Sequence, residues 1–235
     1  MAALSGKRLS HDTFGYPRLR MRILAIPVKS LSHSKRRLAG VFSPLERGAL
    51  TLAMLEDVLD AALAQTGWDT VVVSPDEAVL EIAVRRGVRP LIEEKGPLAG
   101  ALRQVEAETA AMAADALAIL PGDVAMVTAE SLADALHTLG PVVMAEAEGD
   151  GGTNLLLRRP PKAIPSRFGT GSFAKHLGSA ASRDLPVARV TRPELSFDLD
   201  TARDAAQLLV SGVPGRTREC LLALGGDERL RAEGA

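Results

Sequence analysis

One cysteine, Cys220, is all the chain carries in 235 residues, so neither an internal disulfide nor a cysteine-based metal site can form. Aromatic residues make up 3% of the sequence, too few for the stacking platforms on which single-stranded nucleic acids are held. No charge of one sign prevails, since 28 basic residues stand against 29 acidic ones. A general polyanion-binding surface is not expected, nucleic acid is not an expected partner, and any basic cluster must be judged by its position. Long hydrophobic runs are missing as well. Stretches such as Ala116 to Leu120 are far too short to span a bilayer, and the first twenty residues hold Lys7, Arg8, Arg18 and Arg20 without the apolar core of a secretory signal. A reducing, cytoplasmic location and no membrane contact are the expectation. The chain also lacks a G-x-S-x-G elbow, a Walker A loop and a G-x-G-x-x-G turn, which leaves carboxylates, cations and a metal to carry any chemistry.

What is present is ordinary globular material, 46% hydrophobic and 24% charged. Residues 1–20 are polar and aperiodic and read as an extension outside the fold; Met21 is a candidate start. From there, Arg22 to Val28 is an apolar, β-branched run that predicts a buried strand. Ser43, Pro44 and Glu46 form a capping box that opens a helix running to Gly67. Further strands are predicted at Thr70–Val73, Val88–Ile92, Ala116–Leu120, Val142–Ala145, Asn154–Leu157 and Val187–Val190. The helices fall at Asp76–Arg86, Pro97–Ala113, Ala129–Leu139, after Ser172, and at Thr201–Val210. This alternation predicts an α/β domain over residues 21–212, three-layered around a mostly parallel sheet, with 213–235 as a peripheral tail. In such sheets ligands lie beyond the carboxyl ends of the strands, which points to the loops Lys29–Arg37, Ser74–Asp76, Glu93–Gly96 and Pro121–Val124.

Four groups in these loops can carry chemistry. Lys29-Ser-Leu-Ser-His-Ser-Lys35-Arg36-Arg37 places cations where a triphosphate would lie, although a solvated basic loop would read the same way. Asp123 ends Leu-Pro-Gly-Asp after the fourth strand, either as a metal ligand or as a turn residue. In Phe-Asp198-Leu-Asp200 the two carboxylates are two residues apart and, if extended, point the same way; Asp200 could equally cap the helix that follows. Thr153 and the glycine-containing Arg167–Ser172 loop offer an anion site, with Gly169 allowing close approach and Ser172 opening a helix. His33, His137 and His176 lack metal-binding spacing and read as surface residues.

Taken in order, AIPVKSLSHSKRRLA, LPGD, GGTN, RFGTGS and FDLDT resemble the CofC/FbiD guanylyltransferase family of coenzyme F-420 biosynthesis. The likeness covers about Met21 to Val210. It implies a glycosyltransferase-A-like nucleotidyltransferase fold, GTP as donor, and phosphoenolpyruvate, 2-phospho-L-lactate or 3-phosphoglycerate as acceptor. By matching positions it implies Lys29, Lys35 and the adjoining Arg36 at the GTP phosphates. Asp123, Asp198 and Asp200 would hold Mg2+, and Thr153, Gly169 and Ser172 the acceptor. Two positions depart from the usual pattern: Ala125 stands where the family often has proline, and Ala99 where it often has asparagine. They bear on loop rigidity and guanine selection. Another small-molecule nucleotidyltransferase, of molybdenum-cofactor or sugar-phosphate type, is a rival reading, but its glycine-rich first loop is missing here. A non-catalytic nucleotide sensor is another, and it would need fewer carboxylates. The amphipathic helices can serve the core or a homodimer.

Overall fold

The computed structural model describes residues 21–93 and 98–234. The expected N-terminal extension (1–20) and most of the predicted Glu93–Gly96 loop lie outside the described residues, as does the Ala99 side chain. Four strands, β1 (Arg22–Pro27), β2 (Asp69–Ser74), β3 (Arg89–Ile92) and β4 (Ala116–Ile119), alternate with α1 (Pro44–Leu63), α2 (Glu77–Arg85) and α3 (Leu98–Ala111). They continue into α4 (Ala129–His137), β5 (Val142–Glu146), β6 (Thr153–Arg158), α5 (Ser172–Ala181) and β7 (Val187–Arg189). Four further helices close the chain: α6 (Pro193–Ser196), α7 (Ala202–Ser211), α8 (Arg216–Ala223) and α9 (Gly226–Glu233). The capping box read from Ser43 and Glu46 is formed at the start of α1.

The strands make one sheet in the order β3-β2-β1-β4-β6-β5-β7. It is mostly parallel, as expected, and β6 alone runs against its neighbours. The reason is local. β5 and β6 are joined by a tight turn in which the Gly152 N–H donates to Asp150 Oδ1 at 2.8 Å and the Ala147 N–H to the Gly152 carbonyl at 3.1 Å. Such a connection permits only antiparallel pairing. Strand order reverses beside β1, where β2 and β4 flank it on either side.

The pleat divides the strand side chains between two helical layers. Leu24 and Ile26 of β1 face the side covered by α1, α2 and α4, together with Val72, Ala118 and Leu157. Ile23 and Ala25 face the opposite side with Val71 and Leu117, beneath Ala101, Leu102 and Val105 of α3. At the other end Val142, Met144 and Leu156 pack on Phe173 and Ala180 of α5.

Residues 213–235, expected as a peripheral tail, form α8 and α9 and pack against α1 and α7. Leu221 of α8 and Leu230 of α9 are fully buried with Leu50 and Met54 of α1 and Leu208 of α7. Asp57 of α1 accepts from the backbone N–H groups of Arg216 and Thr217, both at 2.8 Å, and so caps α8 from across the chain. Only one leucine per helix is deeply buried, so no hydrophobic period marks these helices in the sequence. Leu221→Ala should therefore lower stability by about 2–5 kcal/mol, read as a lower urea midpoint, whereas a peripheral leucine would change it by no more than about 0.5 kcal/mol.

Candidate active site

The site forms at the carboxyl ends of β1 and β4. The Pro121-Gly122-Asp123 corner leaves β4 pressed against β1, with the Gly122 N–H donating to the Pro27 carbonyl at 3.2 Å. A Cβ at Gly122 would stand 2.7 Å from Cγ2 of Val28, so glycine is what allows this approach. The basic loop after β1 is not the flexible segment its composition suggests. It folds into two 3₁₀ turns, Leu31–His33 and Arg36–Leu38. Asp76 Oδ2 accepts from the Leu31 N–H at 3.1 Å, and buried Arg47 donates to the carbonyls of Ser34 and Phe42. The sequence places Ser74–Asp76 at this edge but marks neither Asp76 nor Arg47 as an anchor.

Between the two turns Lys35 adopts a left-handed backbone (φ 47°, ψ 43°) and sends its side chain inward. Its Nζ donates to Asp123 Oδ2 at 3.0 Å and to Asp200 Oδ1 at 2.8 Å. Carboxylates far apart in the chain are thus held on one nitrogen, and that side chain is only 5% exposed. The backbone repeats the link, because the Leu199 N–H donates to the Asp123 carbonyl at 3.3 Å. The alternative role of Asp200 as a helix cap falls away. Thr201 is the N-cap of α7 and Asp204 completes its capping box, which leaves the Asp200 carboxylate to the site. Ala125, the departure from proline, donates its N–H to the Asp123 carbonyl at 2.9 Å, a bond proline could not make.

The charges are unbalanced in an informative way. Burial works against the Lys35 ammonium, but Asp123 and Asp200 outweigh it and hold its pKa above the ordinary value. Burial likewise works against the Asp123 carboxylate, yet Lys35, with help from Lys29, holds that group below the usual range. At Asp198 the favourable charge of Lys35 is outweighed. Burial, then the negative charges of Asp123 and Asp200, push its carboxyl from 3.8 up to about 6. Among the described residues no three acidic, histidine or cysteine side chains are already drawn together as a metal cage. The Lys35 ammonium stands between two of the three candidates.

These groups line a cavity of about 360 Å³. Lys29, Lys35, Arg36 and Arg37 form its basic side, Asp123, Asp198 and Asp200 its acidic side, and Thr153 and Gly169 a third wall. Gly169 has φ 115°, open to glycine and strained for other residues. Ser172, expected on this wall, lies behind it. Its side chain is buried, its hydroxyl meets Thr153 Oγ1 at 2.9 Å, and its N–H donates to the Gly169 carbonyl. His176 is a second correction, since it is fully buried rather than on the surface. Its Nε2 accepts from the Arg167 N–H at 2.8 Å, so Nδ1 carries the ring proton and donates to Thr153 Oγ1 at 3.1 Å. Burial, reinforced by Arg158, holds its pKa at about 4, so the ring is neutral near pH 7. With the histidine and the serine both able to donate to Thr153 Oγ1, the threonine's own proton is free for an anion in the cavity.

The sequence profile of the family described as guanylyl transferase CofC like matches residues 21–232. The chain belongs to this family. A phosphoenolpyruvate guanylyltransferase of Sphaerobacter thermophilus is 40% identical over 190 residues, 79% of this chain and 91% of that protein. A 2-phospho-L-lactate guanylyltransferase of Methanothermobacter thermautotrophicus is 38% identical, covering 85% of this chain and 89% of its own length. A 3-phospho-D-glycerate guanylyltransferase of Phenylobacterium zucineum is also 38% identical, over 85% and 94%. In fold, the chain matches a Desulfovibrio desulfuricans structure described as a nucleotide-diphospho-sugar transferase, with TM-score 0.71, 17% identity, and 91% and 98% coverage. It also matches a nucleotidyl transferase structure from Methanothermobacter, with TM-score 0.55, 17% identity, and 80% and 95% coverage. This guanylyltransferase family member therefore has the nucleotidyltransferase fold that its motifs implied.

The Asp198 environment makes a signed prediction. Its folded pKa lies above its unfolded value, so ionising it costs stability progressively from about pH 4, and in full above about pH 6. In metal-free buffer Asp198→Asn should therefore be more stable than the parent by on the order of 1–2 kcal/mol at pH 7.5, after allowance for solvent screening. The gain should vanish towards pH 4. Melting curves across this range check it, and an unchanged or lower midpoint at pH 7.5 would refute the charge conflict.

Proposed function

We propose that the chain transfers GMP from GTP to a three-carbon phosphorylated carboxylic acid and releases pyrophosphate, as a Mg2+-dependent, cytoplasmic step of coenzyme F-420 biosynthesis. The acceptor is phosphoenolpyruvate, 2-phospho-L-lactate or 3-phosphoglycerate, the substrates for which the relatives are named. The observation that carries this reading is the meeting of Lys35 with Asp123 and Asp200 at a cavity that Thr153 and Gly169 also line.

The residues fit a divalent cation. Mg2+ takes one or two carboxylates and completes its shell with phosphate oxygens and water, so a preformed cage is not required. The raised pKa of Asp198 is the mark of negative charge that such an ion would neutralise. Held by Asp123, Asp198 and Asp200, Mg2+ would supply charge neutralisation at the phosphates.

The rest of the work belongs to the chain's own groups. Lys29, Lys35 and Arg36 face the triphosphate and stabilise the charge that builds on the departing pyrophosphate. Thr153 and the backbone around Gly169 hold the acceptor so that its phosphate oxygen lies in line with the α-phosphorus of GTP. A phosphate dianion is already nucleophilic near pH 7, so no side chain has to remove a proton. Buried, neutral His176 accordingly acts through Thr153 rather than on the substrate.

Pyrophosphate release measured with four nucleoside triphosphates and the three acceptors tests the proposal. GTP with at least one of these acids should turn over, and addition of EDTA should abolish the reaction. Asp198→Asn and Lys35→Met should each lower kcat/KM by about 100-fold or more with folding intact. Turnover with another triphosphate in preference to GTP, or near-normal rates in both variants, would refute it.

A further inference from the structure

Asn154 is the one residue of the β6 entrance whose polar group no function yet uses. Along the β5–β6 ladder Ala145 pairs with Leu155 and Glu146 with Thr153, so one step on β5 spans two on β6. Asn154 is the extra residue of this β-bulge. Bulges take a residue out of the pleat's alternation and re-aim its side chain. The β4–β6 register, running Leu117–Arg158 to Ile119–Leu156, carries β6 on towards the Pro121-Gly122-Asp123 corner as it approaches Asn154. The side chain is 4% exposed, lines the cavity, and has an Nδ2 shielded from solvent with no hydrogen-bond partner among the described residues.

A buried amide donor without a partner is unfavourable in the free protein, and an apolar residue of similar size would avoid that cost. Asn154 follows Thr153 in sequence and lines the cavity that Gly169 also lines. We propose that Asn154 is a further acceptor-binding residue, whose amide N–H donates to an anionic oxygen of the phosphorylated acid. The oxygen and nitrogen of the amide exchange by a half-turn, so the donor can be presented to the cavity without moving the backbone. A neutral donor here holds the acid's oxygen without adding a further cation to the Lys29–Arg37 side, and so favours acceptor over triphosphate at this wall. The assignment rests on the reaction proposed above.

Two readouts separate the two claims. The full-length chain and the variants Asn154→Ala and Asn154→Asp are titrated calorimetrically with phosphoenolpyruvate, 2-phospho-L-lactate and 3-phosphoglycerate. Mg2+ and a non-hydrolysable GTP analogue are present, and pyrophosphate release is followed in parallel. Asn154→Ala should weaken binding of the preferred acid by about 10- to 100-fold and raise its KM alike, with the GTP KM within about twofold. Asn154→Asp, nearly the same shape but anionic, should weaken it further. Melting curves confirm that each variant is folded, and the aspartate variant serves if the alanine variant is not. Acceptor affinity equal to the parent's in a folded variant, or a rise in the GTP KM alone, would overturn the Asn154 assignment. A parent chain that binds an acid but releases no pyrophosphate would overturn the reaction alone, and the binding comparison would still decide Asn154.

Discussion

The site is organised around a single ammonium group. Lys35 Nζ draws Asp123, at the end of β4, and Asp200, at the threshold of α7, onto one nitrogen, and the sheet and the C-terminal helices both serve to bring them there. Distant anchors and local structure both prepare that meeting, since Asp76 and Arg47 hold the Lys29–Arg37 loop in place. The left-handed turn at Lys35 aims the side chain inward, Gly122 lets the Asp123 corner settle on β1, and the Thr201 cap frees Asp200. The fold positions charge, and the charge is what the chemistry requires.

Asp198 shows the cost of this arrangement. Lys35 pairs with Asp123 and Asp200 and Arg37 lies 4.0 Å from Asp200, yet Asp198 is left with a raised pKa. Structures optimised only for stability do not gather like charges in this way, and the usual explanation for such a conflict is function. The same reasoning applies to the Asn154 amide donor, which has no partner among the described residues. Relatives named for three different acceptors are nearly equally similar to this chain, at 38–40% identity. Overall identity therefore does not distinguish which of these acceptors the chain takes.

Much of this was legible in the residues. The strand runs, the Ser43 capping box and the motif order place the sheet, and the position of each motif after a strand places it at the ligand-binding edge. Lys35, expected at the GTP phosphates, lies with Asp123 and Asp200 at that edge and is ion-paired to both. Other features depend on contacts that no local pattern encodes. Ser172 looks like an anion ligand because it opens a helix, yet tertiary packing turns it behind Thr153. His176 has no motif partner, and its burial follows from the docking of α5 on the sheet. The helices α8 and α9 each hold one deeply buried leucine, too few for a period, and are fixed by Asp57 and Glu46 from a distant helix. A lone antiparallel β6 follows from a turn rather than from the hydrophobic run itself.

The role proposed for the acidic group is to bind a divalent cation that relieves the charge conflict at Asp198. Calorimetric titration of Mg2+ into the GTP-bound chain and into its Asp198→Asn variant, at pH 7.5, tests it most directly. Saturable binding by the parent should weaken at least about tenfold in the variant, as loss of one of few carboxylate ligands requires. Equal affinity in both, or no Mg2+ binding by the parent, would contradict it.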